Sequence, residues 1–292
     1  PEGVTLARSL LRQNLIERPA LETAFVQLVE QETQPARHSQ PAVREQRIGD
    51  YRLVKRLGAG GMGVVQLAEH VETGGRYALK TLHGVQDAEA ILRFQREALG
   101  HARADTHPNV VRIHSFGQLK GMLYLVMDLV SGGSLEQRLR SETLSANDAA
   151  RISREVARGL AHIHGCGVLH RDVKPDNVLL DGAVPMLTDF GLAKVVGEVS
   201  LTVSGAVMGT PAYMAPEQID SKYGDVGPWT DVYGLGAVLY RCLTGRAPFG
   251  GRNLLKVMFA SLAGDPPAPR SLRKEIPAAL EAICLRAMHK DP

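Results

Sequence analysis

Asp172, Lys174 and Asn177 stand at i, i+2 and i+5 in the stretch His170-Arg171-Asp172-Val173-Lys174-Pro175-Asp176-Asn177. An acid, an amine and an amide so spaced can offer one substrate a proton acceptor, a cation and a metal ligand. Pro175 cannot sit inside a helix, so the stretch reads as a loop entering a strand at Val178-Leu179-Leu180. After a short gap, Thr188-Asp189-Phe190-Gly191 adds a second carboxylate just ahead of a glycine. Two carboxylates and an amide are the oxygen donors that Mg²⁺ favours, an ion usually shared with phosphate groups. Either segment alone reads equally as a loop of solvated polar residues. Both in order argue for chemistry.

A second signal lies upstream. Gly58-Ala59-Gly60-Gly61-Met62-Gly63 falls between two strand-like runs, Tyr51–Leu57 and Val64–Ala68. A dinucleotide site would need a helix after the glycines to hold the pyrophosphate. A glycine-tipped hairpin instead can lie over a triphosphate, with its N–H groups unobstructed by Cβ atoms. In the next strand, Arg76–Leu82, alternation puts Ala78 and Lys80 on one face. A small residue lets a flat base approach, and a lysine two positions on reaches its phosphates. The plain reading of a lone strand lysine is a solvated edge residue. Residues 88–104 read as a helix carrying Glu97, the candidate partner for Lys80. A surface pair with Arg93 is the alternative, in the less favourable order for a helix. Strands are expected at Val110–Phe116 and Met122–Val126, and a helix from Ala146, capped by Ser145, to His164. Its inner face is Ala149, Ile152, Val156 and Ile163. A buried helix is expected over Asp231–Leu243.

The two loops, the glycine hairpin, Tyr77-Ala78-Leu79-Lys80, Gly209-Thr210-Pro211 and Ala215-Pro216-Glu217 together resemble the protein kinase family. Within it the chain resembles bacterial Ser/Thr kinases of the eukaryotic-like type, from about Ile48 to Pro292. The resemblance implies an α+β, bilobal fold: a β-rich N-lobe with one main helix, then a mostly helical C-lobe. The corresponding divisions are an N-lobe with hinge at 48–130 and a C-lobe at 131–292; ahead of them, helix-period leucines read as a short helical hairpin at 1–30, a candidate regulatory element, and the polar stretch with Pro35 and Pro41 as a linker at 31–47. It implies ATP as phosphoryl donor with Mg²⁺, Mn²⁺ being an alternative. Nucleotide contacts carry over to Leu57, Gly58, Gly60, Gly63, Val65, Ala78, Lys80, Glu97, Met127, Asp128, Val130 and Leu179. Catalytic roles fall to Asp172, Lys174 and Asn177, metal binding to Asn177 and Asp189, and Asp231 matches an aspartate that bonds the catalytic-loop backbone. Arg171, ahead of the catalytic aspartate, marks control by phosphorylation in this family. Thr202 and Ser204 are the expected phosphorylation sites, and Thr210 faces the substrate. The resemblance also pairs Glu217 with an arginine shortly after a Lys-Asp-Pro such as 290–292, so the chain is expected to belong to a longer one.

Composition bounds the rest. With 34 basic and 31 acidic residues and a net charge of +3, nothing suggests a nucleic-acid binder. The three cysteines form no CxxC pair and read as buried residues in a reducing compartment. No apolar run approaches the roughly 18 residues of a membrane span. A cytoplasmic kinase domain with protein substrates follows, without membrane contact of its own, and with self-association where autophosphorylation occurs in trans. Its parent protein could be anchored elsewhere. Two other classes compete: a nucleotide-binding pseudokinase, and a small-molecule kinase of related fold. The first typically lacks the lysine or an aspartate retained here; the second lacks the Gly-Thr-Pro and Ala-Pro-Glu segments.

Overall fold

The computed structural model describes residues 46–60, 63–82, 107–119, 121–189, 211–251 and 253–291. The expected hairpin at 1–30, the helix at 88–104 with Glu97, and the segment 190–210 with Thr202, Ser204 and Thr210 lie outside them.

Six strands form one antiparallel sheet: β1 (Arg47–Ile48), β2 (Tyr51–Gly60), β3 (Gly63–His70), β4 (Arg76–Leu82), β5 (Ile113–Leu119) and β6 (Met122–Asp128). Their order is β1-β2-β3-β4-β6-β5. β4 is buried continuously from Ala78 to Leu82, because both faces of the sheet are covered there. Ala78, Leu82, Leu125 and Met127 pack on one face, and Ile48, Ala68, Leu79 and Val126 on the other. The strand expected at Val110–Phe116 is divided. β5 begins only at Ile113, while Val110 forms a parallel bridge to Leu187. Period-two alternation marks extended backbone but not its partner, and Val110 and Val111 are committed elsewhere.

The helices that follow are α1 (Leu135–Ser141), α2 (Ala146–Gly165), α3 (Pro216–Ile219), α4 (Pro228–Thr244), α5 (Leu254–Ala263), α6 (Pro269–Leu272) and α7 (Ala278–Ala287). Between α2 and α3 lies a two-stranded hairpin, β7 (Val178–Asp181) and β8 (Val184–Leu187). Ser145 caps α2 as expected, its Oγ accepting the Asp148 N–H at 3.0 Å. Ala149, Ile152, Val156 and Ile163 are all 0% exposed, against α4 and β8. α4 starts three residues before the expected Asp231. Pro228 occupies its first turn, where a missing N–H costs nothing, and Gly245 ends it in the left-handed conformation at φ 73°.

α4 packs closely against the loop that carries Asp172. A Cβ added at Gly234 would lie 2.8 Å from Val173 Cβ and 3.0 Å from its carbonyl oxygen. Only glycine admits that approach. Gly234→Ala is therefore expected to destabilise the fold by about 1–3 kcal/mol through overpacking, read as a lower midpoint of chemical denaturation. Unchanged stability would mean that the loop moves away without penalty.

Two of the three cysteines match their reading. Burial pushes the Cys242 and Cys284 thiols up to about 12. Cys166 departs from it: it is exposed, because it caps the C-terminus of α2 as the chain leaves the core.

Candidate active site

The β7–β8 hairpin assembles the site. Its register pairs Val178 with Leu187, so the residue before β7 and the residue after β8 lie side by side. The Thr188 N–H donates to the Asn177 carbonyl at 3.0 Å, which brings Asn177 and Asp189 together. Pro175 opens a 3₁₀ turn through Asn177, turning the Asn177 side chain back to Asp172. Asn177 Nδ2 donates to Asp172 Oδ2 and to the Asp172 carbonyl, both at 2.8 Å. Lys174 Nζ donates to the same Oδ2 at 2.7 Å. One oxygen of Asp172 is thus held by an amide and an ammonium, and Oδ1 is left to accept a proton.

Asp189 Oδ1 lies 2.8 Å from Lys80 Nζ, and Lys80 is only 5% exposed. This partner of Lys80 is one that sequence reasoning did not name; Glu97 lies outside the described residues. β4 and the end of β8 are far apart in the chain, and nothing local in either signals the pair. The remaining oxygens, Asp189 Oδ2 and Asn177 Oδ1, are hard donors, one anionic and one neutral, on residues that the backbone pairing brings together. They suit a divalent cation whose other ligands come from phosphate and water.

Arg171 and Asp189 are the non-glycine residues with positive φ among the described residues, both at 64°. Such backbone costs of order 1–3 kcal/mol and persists only when neighbours enforce it. Here they do. Asp231, 1% exposed, accepts the His170 N–H at 2.8 Å through Oδ2 and the Arg171 N–H at 2.6 Å through Oδ1. His164 Nε2 meets Asp231 Oδ2 at 2.7 Å. Gln218 Nε2 donates to the Arg171 carbonyl at 2.7 Å. His164 and Gln218 are positioning residues that the sequence reading passed over. A histidine in the last turn of a helix was the available signal for the first.

The expected nucleotide residues gather around one apolar cluster. Ala78 and Met127 are 7% and 6% exposed and pair across β4 and β6, with Val65, Val130 and Leu179 packed against them. Met127 also receives the Thr188 hydroxyl at 3.7 Å to its sulfur, closing the wall behind the cluster. Gly58 has open space where a Cβ would stand. Gly63 differs: a Cβ there would fall 1.8 Å from the Thr81 carbonyl oxygen, so the strand pairing itself requires it. Gly60 pairs with Gly63 at the tip, and Leu57 is exposed at a register shift between Arg56 and Gly58. Asp128 begins the crossing segment with its N–H on the Arg112 carbonyl and its carboxylate 2.6 Å from His114 Nε2.

Near the catalytic loop, burial and then the Glu136 charge raise the Asp176 carboxyl above its usual range. Burial lowers His170, which is 0% exposed. Glu217, buried behind this loop, accepts the Thr230 hydroxyl at 2.6 Å, a partner that the sequence reading did not name.

The protein kinase domain family matches residues 51–289, which spans nearly all of the described chain. The chain belongs to the protein kinase family. It is 40% identical over 251 residues to serine/threonine-protein kinase PknJ of Mycobacterium bovis, covering 83% of this chain and 42% of that one. It is 38% identical over 254 residues to Pkn1 of Myxococcus xanthus (84% and 36%) and 34% identical over 249 residues to PrkC of Bacillus subtilis (84% and 38%). The chain therefore spans about two fifths of the length of these relatives. Within the kinase family it falls with the bacterial, eukaryotic-like Ser/Thr enzymes, and its sheet followed by helices is their bilobal α+β fold. Protein kinases use ATP with a divalent cation. Among the described residues, no helix of this kinase is long and apolar enough to cross a membrane.

Proposed function

We propose that this chain transfers the γ-phosphoryl of ATP, with Mg²⁺ as the cation, to Ser or Thr hydroxyls of proteins. The observation that carries this reading is the joining of Lys80 to Asp189, and of Lys174 and Asn177 to Asp172, on either side of one hairpin. A substrate hydroxyl oxygen attacks the γ-phosphorus, the bond to the β–γ bridging oxygen breaks, and ADP leaves. Asp172 Oδ1 orients the hydroxyl and takes its proton. Lys174 offsets charge on the moving phosphoryl group, and Lys80 holds the α- and β-phosphates. Asn177 and Asp189 would hold the cation, which when bound neutralises charge between the phosphates. Val65, Ala78, Met127, Val130 and Leu179 would enclose the base. Leu57 and the glycine tip at Gly58, Gly60 and Gly63 would close over the phosphates, and Asp128 lies at the hinge. Glu97 remains the proposed second partner of Lys80.

Asp189→Asn is expected to weaken Mg-ATP binding, because the cation loses a carboxylate and Lys80 its ion pair. Calorimetric titration with Mg-ATP reads this directly. Affinity equal to wild type would remove Asp189 from the nucleotide site.

Activity is further proposed to depend on autophosphorylation in trans. A phosphate on Thr202 or Ser204 would bring about −1.5 to −2 charge toward Arg171. Arg171 stands directly before Asp172 and has its backbone fixed by Asp231. Thr210 would then face the incoming substrate. Mass spectrometry after incubation with Mg-ATP is expected to find phosphate on Thr202, Ser204 or both. Changing both to Ala should lower transfer to a peptide while sparing ATP binding. Full activity with neither residue modified would leave Arg171 a structural part only. A kinase needs ATP as its donor, and we therefore propose that the domain lies on the cytoplasmic side.

A further inference from the structure

Residues His107–Val111 act as a clamp between the six-stranded sheet and the catalytic hairpin. Immediately before β5, Asn109 Nδ2 donates to the Pro185 carbonyl at 2.8 Å. The Leu187 N–H donates to the Asn109 carbonyl and the Val111 N–H to the Leu187 carbonyl, both at 2.8 Å. α2 closes the other side. A Cβ added at Gly159 would lie 2.8 Å from the Asn109 carbonyl oxygen, so helix and clamp are in direct contact. Leu187 is two residues from Asp189, so the clamp holds the strand that presents it.

Two histidines sit where the clamp meets α2. The His107 ring stacks on His162, with centroids 5.0 Å apart and planes at 23°. His107 Nδ1 accepts the Asn109 N–H at 3.1 Å, so that nitrogen must be unprotonated. His162 Nε2 is enclosed without a hydrogen-bond partner among the described residues. A proton on His107 Nδ1 would point N–H against N–H and place a cation over the second ring. Among the described residues, the charged groups that act on His107 are Glu155 and Arg158, both on α2. Glu155 is already matched by Arg154 at 2.7 Å and Arg158 at 3.0 Å. β8, the other element against the clamp, contributes no ionisable side chain.

We infer that His107, stacked on His162, is an acid-sensitive latch, closed when His107 is neutral, whose opening frees Leu187 and loosens Asp189. Burial first, and His162 second, hold His107 below its ordinary 6.5. The open clamp therefore takes up the proton before the closed one does. Closure is fully stable above 6.5 and weakens as pH falls below it.

Hydrogen exchange at the Val111 and Leu187 amides tests this, with rates corrected for the intrinsic pH dependence. Their protection in wild type should fall by up to about tenfold per pH unit on acidification below the ordinary histidine value. In His107→Asn, whose side-chain oxygen can accept the same Asn109 N–H, protection should not change with pH. Equal loss in both proteins, or no loss in wild type, would overturn the inference. Should the variant not fold, wild type still decides. The Leu187 amide shift must follow the His107 titration with a common midpoint, and separate midpoints would overturn the latch. A parallel loss of Mg-ATP affinity at low pH is also expected. That consequence rests on the kinase reading, whereas the exchange measurement does not.

Discussion

Asp172→Asn is expected to lower phosphoryl transfer by about 10²–10⁴-fold while leaving Mg-ATP affinity unchanged. The reason lies in how the carboxylate is divided. Oδ2 already accepts from Lys174 Nζ and Asn177 Nδ2, so its charge is committed to holding the loop. Oδ1 has no hydrogen-bond partner among the described residues, and a neutral amide there could not take the proton from a substrate hydroxyl. The proposed nucleotide side rests on Lys80 and Asp189, whose 2.8 Å pair the substitution does not touch. Turnover by coupled assay and affinity by calorimetry should therefore separate cleanly. Near wild-type turnover would remove Asp172 from the chemistry.

Asp231→Ala should be the most damaging change to stability. Asp231 is 1% exposed and accepts both the His170 and Arg171 N–H groups, and His164 bonds to it as well. Truncation leaves one buried and one partly buried amide without this acceptor, at about 1–3 kcal/mol each. It also releases Arg171 from its 64° φ. The melting temperature should fall by roughly 4–24 °C, from about 2–6 kcal/mol for the two amides at about 2–4 °C per kcal/mol for a domain of this size. Asp231→Asn keeps one accepting oxygen and should fall between the two. An alanine variant as stable as wild type would show that water replaces the carboxylate, and the loop would then owe its shape to other contacts.

Much of the candidate site was legible because it is local. The acid, amine and amide of residues 172–177 lie on one turn, and Pro175 announces that turn. α2 was legible for a similar reason: Ser145 caps it and an apolar face repeats through it. What escaped were contacts between distant segments. The pairing of Lys80 with Asp189 links β4 to the end of β8, and no spacing rule connects them. Alternation marked Val110 and Val111 as extended but could not say that their partner is Leu187. The His164 and Gln218 contacts also join separate elements to the catalytic loop. Gly63 was read for phosphate contact, and the approach of the Thr81 carbonyl, which also demands a glycine there, was not legible. α4 began earlier than its apolar run because Pro228 opens it without being part of that run.

The central claim is transfer to a protein Ser or Thr hydroxyl. It is tested most directly by incubating the chain with γ-labelled ATP, Mg²⁺ and a basic protein that contains Ser, Thr and Tyr, then identifying the labelled amino acids. Label on phosphoserine or phosphothreonine, absent with Asp172→Asn, is the predicted result. A chain that binds ATP but leaves the protein unlabelled would contradict it, as would label that persists unchanged without Asp172.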